Sequence, residues 1–254
     1  MSVSASTGRP APDWLISDAF EEHTVGVLKS GKEAEVFLVE RVAPSGTCLL
    51  AHKRYRPRHP KQGELRELGF SKGTIYRHDV VYRAGWHLNS RDRRAVETRT
   101  RYGIGLTEGL WPDNEILMLR RAWNGGASVP YPVDRSEDGV LMEYLGDRSG
   151  AAPRVVDARL SPECLRDAWR QLVENLHLLT RAGVVHADLS VYNLLWWQDR
   201  LVIIDLPQAV DVITNLEAMH LLERDVANVA TWFGRRGVPV DPGAVFAELL
   251  AEAW

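Results

Sequence analysis

Cysteine is nearly absent from this chain of 254 residues: only Cys48 and Cys164 occur, and they form neither a CxxC pair nor a disulfide framework. Two isolated thiols suit a reducing compartment, so a cytoplasmic location is expected. Long apolar runs are also missing. No stretch approaches the roughly 18 consecutive apolar residues needed to cross a bilayer, so no membrane partner is expected. Met1 to Asp13 is rich in Ser, Ala and Pro and lacks the basic start and apolar core of a secretory signal. No internal repeat is visible. With 45% apolar and 26% charged residues, wholesale disorder, a collagen-like repeat and a coiled coil are excluded. The length fits one large domain, or one domain in two lobes.

The net charge of −3 hides an asymmetry. From His52 to Arg101 there are fourteen Lys and Arg against five Asp and Glu, a balance of +9. A basic segment inside an acidic protein points to a local anionic partner, or to a solvated loop.

Val36 to Arg41 alternates as a strand does, and Cys48 to Tyr55 forms a second strand after the turn at Pro44, Ser45 and Gly46. Periodicity then fades over about 54–109, too long for a plain connection and read as a basic insertion. Asp113 is expected to cap a helix from Asn114 to about Arg121, ended by Gly125 and Gly126. Pro132 to Arg135 and Val140 to Leu145 read as a hairpin, and Gly146 to Asp157 as a hinge. Ser161 and Pro162 open a helix that Gly183 stops. Leu194 to Trp197 and Leu201 to Ile204 make a tight hairpin. A helix from about Asn215 to Phe233 would bury Leu216, Met219, Leu222, Val226, Val229 and Phe233 on one face. A last helix starts at Asp241 and Pro242.

The informative segment is His186-Ala187-Asp188-Leu189-Ser190-Val191-Tyr192-Asn193, followed by the hairpin and then Asp205. A hairpin brings its open ends together, so Asn193 and Asp205 meet, with Asp188 near. Two oxygen ligands at neighbouring strand ends suit Mg²⁺, which takes its other ligands from phosphate and water. A further carboxylate there can accept a hydroxyl proton, the division of labour in phosphoryl transfer. A lone Asp or Asn in a turn more often bends the chain. The joint spacing H-x-D-L-x-x-x-N, hairpin, Asp matches a kinase catalytic loop and metal-binding aspartate.

The first half should then hold a nucleotide. Lys53 lies in an apolar strand, where lysine is unusual without a partner, and Glu115 on the following helix is the natural one. Gly26 to Glu33 nearly matches a Walker P-loop, but Glu33 replaces the metal-binding hydroxyl and a strand follows instead of a helix. A strand–turn–strand with Ser30, Gly31 and Lys32 can still cover phosphates. The backbone C=O of Glu143 and N–H of Leu145 would read a base edge.

Together Ser30 to Val36 (SGKEAEV), Leu141 to Gly146 (LMEYLG), Ala152 to Arg154 (APR), His186 to Asn193 and Ile204 to Gln208 (IDLPQ) resemble the RIO family of atypical protein kinases. The likeness spans roughly Val25 to Gly237. It implies an α+β fold, a trimmed bilobal protein-kinase-like fold. An N-terminal antiparallel sheet carries one regulatory-type helix, and a mostly helical C-terminal lobe carries the catalytic-loop hairpin. The chain would divide into a tail (1–24), a nucleotide-binding lobe (25–145) and a catalytic lobe (146–254). By that resemblance Asp188 is the catalytic aspartate, Asn193 and Asp205 are metal ligands, and Lys53 is the phosphate lysine. The cofactors are ATP and Mg²⁺, with Mn²⁺ as an alternative. The resemblance also raises a phospho-aspartate cycle at Asp205. Val191 stands where the family usually has Glu.

The main expectation is an ATP-dependent Ser/Thr protein kinase with an unknown protein substrate, autophosphorylation included. A second is a nucleotide-gated binding protein that docks RNA or a ribosomal partner through the basic segment 52–101. A third is a small-molecule kinase of the aminoglycoside type, which usually carries a larger substrate domain and Gly at the position of Ala187.

Overall fold

The computed structural model describes residues 8–56, 94 and 101–253, with only the helical backbone given for 101–110. Most of the expected basic insertion lies outside the described residues.

Strands β1 (Glu21–Ser30), β2 (Ala34–Ala43), β3 (Gly46–Tyr55), β4 (Pro132–Arg135) and β5 (Gly139–Glu143) form one antiparallel sheet in the order β1-β2-β3-β5-β4. The sheet begins at Glu21, four residues before the expected start of the lobe. The tail is not idle either: Leu15 and Ile16 pack with Val39, Leu50 and Leu141, and the Arg9 guanidinium lies over the Trp123 ring. Strand β3 ends at Tyr55, as expected, so Arg54 and Tyr55 belong to the sheet and not to the segment read as insertion.

Helix α1 runs Arg101–Asn124, thirteen residues longer at its start than expected. Gly103, Gly105, Gly109 and Pro112 weaken the helix signal there, yet the backbone is helical. Asp113 is therefore not a cap. It lies inside the helix, and its carboxylate accepts from Arg135 Nε at 2.8 Å. Ile116, Met118, Leu119, Ala122 and Trp123 of α1 are buried in the same core as the second half of the chain.

A two-strand ribbon, β6 (Gly146–Asp147) and β7 (Gly150–Ala151), fills the expected hinge. Helix α2 (Pro162–Arg181) starts where Ser161 Oγ accepts from the Cys164 N–H. Its buried face (Ala168, Trp169, Leu172, Leu176, Leu179) meets helix α3 (Ala218–Gly234) and helix α4 (Pro242–Glu252) in the large core. Helix α3 begins three residues later than expected. Leu216, expected on its buried face, precedes it and is 98% exposed. Two short ladders finish the lobe. β8 (Val184–Val185) pairs with β11 (Val210–Asp211), and β9 (Leu194–Trp197) with β10 (Arg200–Ile203). Gln198 and Asp199 both have positive φ, the two-residue turn that matches the twist of a hairpin. Among the described residues, no helix is long and apolar enough to cross a membrane.

The structure is thus a mixed α+β, kinase-like fold: an antiparallel sheet with one long helix, then a mostly helical half built around a small hairpin.

Candidate active site

Lys53 joins the two halves. Its ammonium lies 2.7 Å from Glu115 Oε1 and 2.6 Å from Asp205 Oδ1. Cross-strand partners share a face, so Lys29, Val36, Lys53 and Val140 form one row across β1, β2, β3 and β5. Glu115 is 1% exposed. Its second carboxylate oxygen accepts from the Tyr55 hydroxyl. Burial alone would lower the pKa of Lys53; the carboxylates of Glu115 and Asp205 outweigh it and raise the pKa well above its ordinary value. Desolvation pushes the Asp205 carboxyl up, but Lys53 holds it below the usual carboxylate range. The site is therefore a charged chain, Glu115⁻–Lys53⁺–Asp205⁻.

Asp205 follows β10 in a left-handed backbone conformation, φ 72°. Such a conformation costs about 1–3 kcal/mol and persists only where the surroundings hold it. They do. The Ile204 N–H bonds the Asn193 carbonyl at 2.9 Å, tying the two hairpin ends together. The buried His186 ring lies 3.0 Å from the Ile204 carbonyl. Pro207 and Ala209 carbonyls accept from Asn114 Nδ2 of α1 at 2.9 and 3.0 Å.

Asp188 is exposed on the loop between β8 and β9. Its carbonyl accepts from Asn193 Nδ2 at 3.0 Å, which turns the Asn193 amide so that its oxygen faces away from that carbonyl. The loop is gripped from below by Asp225 of α3, 1% exposed, which accepts from the N–H groups of Ala187 (2.7 Å) and Leu189 (3.0 Å). Arg224 donates to the Ala187 carbonyl. Desolvation raises the Asp225 pKa, and His186 and the two N–H donors oppose it.

The other expected residues sit around the sheet. Ser30 Oγ donates to Glu35 Oε1 at 3.0 Å and receives Arg56 at 2.7 Å. Gly31 N–H is spent on the Ala34 carbonyl, so it is not a donor that faces a phosphate. Lys32 is exposed at the tip of the β1–β2 turn. The Glu143 side chain accepts from Tyr131 N–H, and desolvation raises its pKa. Leu145 packs with Ala152 and Val202, flanked by Leu195, Trp197 and Ile204. Its carbonyl is taken by Ala152 N–H at 2.8 Å.

Sequence reasoning missed Asp225, Tyr55, Asn114 and Lys29. Asp225 carried a signal: a carboxylate three residues after Leu222 and four before Val229 lies on an apolar stripe, and a buried charge there needs donors. Lys29 shares the sheet face of Lys53 by register. Partial burial lowers its pKa, Arg154 and Lys53 lower it further, and Asp205 works the other way. Tyr55 and Asn114 carried no signal, because their partners lie 60 and 93 residues away.

The RIO domain family model matches residues 76–244, well over half of the chain. The serine/threonine-protein kinase RIO1 of Chaetomium thermophilum is 36% identical over 139 residues, 51% of this chain and 27% of that protein. The RIO-type serine/threonine-protein kinase Rio1 of Haloferax volcanii is 36% identical over 137 residues, 54% of this chain and 46% of that protein. A probable serine/threonine-protein kinase RIO1 homolog of Encephalitozoon cuniculi is 33% identical over 226 residues, 86% of this chain and 55% of that protein. The chain thus spans between about a quarter and about half of the length of these relatives.

Proposed function

The chain belongs to the RIO family, and on that premise we propose that it transfers the γ-phosphoryl group of ATP to Ser or Thr hydroxyls of protein, its own included. The observation that carries this is the chain Glu115–Lys53–Asp205, which joins the nucleotide-binding half to the catalytic loop. Neither a nucleotide-gated binding protein nor a small-molecule kinase is favoured, since the relatives are named serine/threonine-protein kinases.

The residues present fit ATP with a divalent metal. Among the described residues no cluster of three or more His, Cys, Asp or Glu could hold a metal alone. The available donors are hard oxygens, the Asn193 amide and the Asp205 carboxylate. That sparse set suits Mg²⁺, or Mn²⁺, which completes its shell with phosphate and water. Bound there, the metal would neutralise phosphate charge. Lys53 stays protonated and moves its contact from Asp205 to phosphate oxygens, while Glu115 keeps hold of it. Lys29 and Lys32 add positive charge on the sheet side, and Ser30 shapes the turn. Leu145, Leu195 and Ile204 offer an apolar floor to the base, and the main chain at Glu143 and Leu145 reads its edge. Asp188 accepts the hydroxyl proton of the substrate. A backbone held at Ala187 and Leu189 by Asp225 aims it without reorganisation.

The basic segment 52–101 supports a further part of the proposal, an anionic partner such as RNA. A binding constant that does not fall with added salt would remove it. The two free thiols support a cytoplasmic location.

Asp188→Ala tests the central assignment. Phosphoryl transfer should fall by about 10²–10⁴-fold, with nucleotide affinity within about twofold. Retained transfer would refute the assignment. Acid-labile phosphate trapped at Asp205, with none on Ser or Thr, would replace the kinase reading with an ATPase cycle.

A further inference from the structure

We propose that Asn114 is a positioning residue for Asp205, holding the metal-binding backbone in place when Lys53 lets go of it. The idea rests on the functional reading above, in which Lys53 leaves Asp205 for phosphate.

Asp205 is held by two routes, and both start from adjacent residues of α1. The first runs through side chains: Glu115 to Lys53 at 2.7 Å, then Lys53 to Asp205 at 2.6 Å. This route opens when phosphate oxygens draw the ammonium away. The second runs through backbone. Asn114 Nδ2 donates to the Pro207 carbonyl at 2.9 Å and to the Ala209 carbonyl at 3.0 Å. An amide nitrogen has two hydrogens, so it can serve both carbonyls at once. Within that segment the Ala209 N–H bonds the Leu206 carbonyl at 3.1 Å, and the Leu206 and Ala209 side chains are fully buried. The result is a closed turn directly after Asp205, clamped to α1.

The clamp has a firm anchor. Helix α1 shares the large core through Ile116, Met118, Leu119 and Ala122. At its far end Arg121 Nη1 meets Asp211 Oδ2 at 2.6 Å. Asn114 therefore grips the loop from a helix that is itself fastened to the catalytic half. The left-handed backbone at Asp205 needs such a grip, because an L-residue relaxes out of that conformation when its neighbours are free. The backbone route does not use a group that a nucleotide competes for. It stays closed through the stage at which the carboxylate must face a cation.

The test compares wild type with Asn114→Leu, close in size but without the donors, and Asn114→Ala, which keeps helix propensity. Two readouts are taken on folded protein. The first is nucleotide affinity as a function of Mg²⁺. The Mg²⁺ concentration for half-maximal enhancement should rise about tenfold, while metal-free nucleotide affinity stays within about twofold. A purely structural role would lower thermal stability without splitting the two affinities. The second is hydrogen exchange at the Leu206, Gln208 and Ala209 amides without nucleotide or metal, which should speed up at least tenfold. Unchanged Mg²⁺ dependence and unchanged exchange in a folded variant overturn the proposal. If neither variant folds, wild type decides: fast, unprotected exchange at Ala209 overturns it. If wild type binds nucleotide with no Mg²⁺ dependence, the metal reading of Asp205 fails, and the exchange measurement still decides the clamp.

Discussion

Ala187 carries a backbone that its side chain resists. Its φ is 64°, left-handed, where an L-residue with a Cβ pays roughly 1–2 kcal/mol. Asp225 holds its N–H and Arg224 holds its carbonyl, so the strain is contained rather than relieved. Glycine would adopt the same backbone freely, at some cost in unfolded-chain entropy. Ala187→Gly should therefore leave the loop in place and raise stability by up to about 1 kcal/mol, read from the urea midpoint at unchanged slope. A loss of stability would mean that the buried methyl group matters more than the strain. At this scale the spacing of His186, Asp188, Asn193 and Asp205 was legible, because loop and hairpin set it locally. The strain at Ala187 was not, since it is imposed by residues of a helix 37 and 38 positions away.

Strands β3 and β5 approach closely at Gly139. A Cβ at Gly139 would lie 1.9 Å from the Lys53 carbonyl, an overlap that backbone cannot absorb. Gly139→Ala should cost about 1–3 kcal/mol and displace the strand that carries Lys53. A denaturant midpoint within error of wild type would contradict that. A second junction ties α1 to β11. Burial pushes the Asp211 carboxyl up, but the Arg121 hydrogen bond and the Thr214 N–H and hydroxyl pull it further down, to about 2. A carboxyl lowered in the folded state from 3.8 contributes stability above that ordinary value and loses it as pH falls through about 2. Asp211→Asn should be less stable than wild type at neutral pH and lose less between about pH 4 and 2. Acid unfolding followed by ellipticity checks this; equal slopes in that window would exclude the pair as a source of acid sensitivity. Helix α2 was readable from its cap and apolar spacing, and α4 from its Asp241–Pro242 start. The first turns of α1 were not, because Gly103, Gly105, Gly109 and Pro112 speak against a helix.

Among the described residues there are one large core, two smaller ones and a charged seam. One small core, Ile16, Val39, Cys48, Leu50 and Leu141, supports one side of the sheet. The large core takes in α1 as well as the helical half, so the helix that carries Glu115 is built into that half. A ligand bridging the seam should stabilise the molecule as a unit. At about 100 times its dissociation constant, ATP with Mg²⁺ should add about 2.7 kcal/mol and raise the melting midpoint by roughly 5–10 °C. Chelating the metal should remove most of that gain, as should Asp205→Asn. A midpoint indifferent to Mg²⁺ would argue against Asp205 as a metal ligand.

The amino-acid sequence by itself determined the family, the hairpins β2–β3, β4–β5 and β9–β10, and the spacing of His186, Asp188, Asn193 and Asp205. Those depend on spacing within about twenty positions, where turns and periodicity constrain the chain. Only the tertiary structure decided what holds that loop in place: Asp225 beneath it, Tyr55 behind Glu115, and Asn114 behind Asp205. Each is a polar group whose partner is distant along the chain. Nothing local distinguishes such a group from a solvated one until folding removes the water and leaves a particular donor or acceptor in its place.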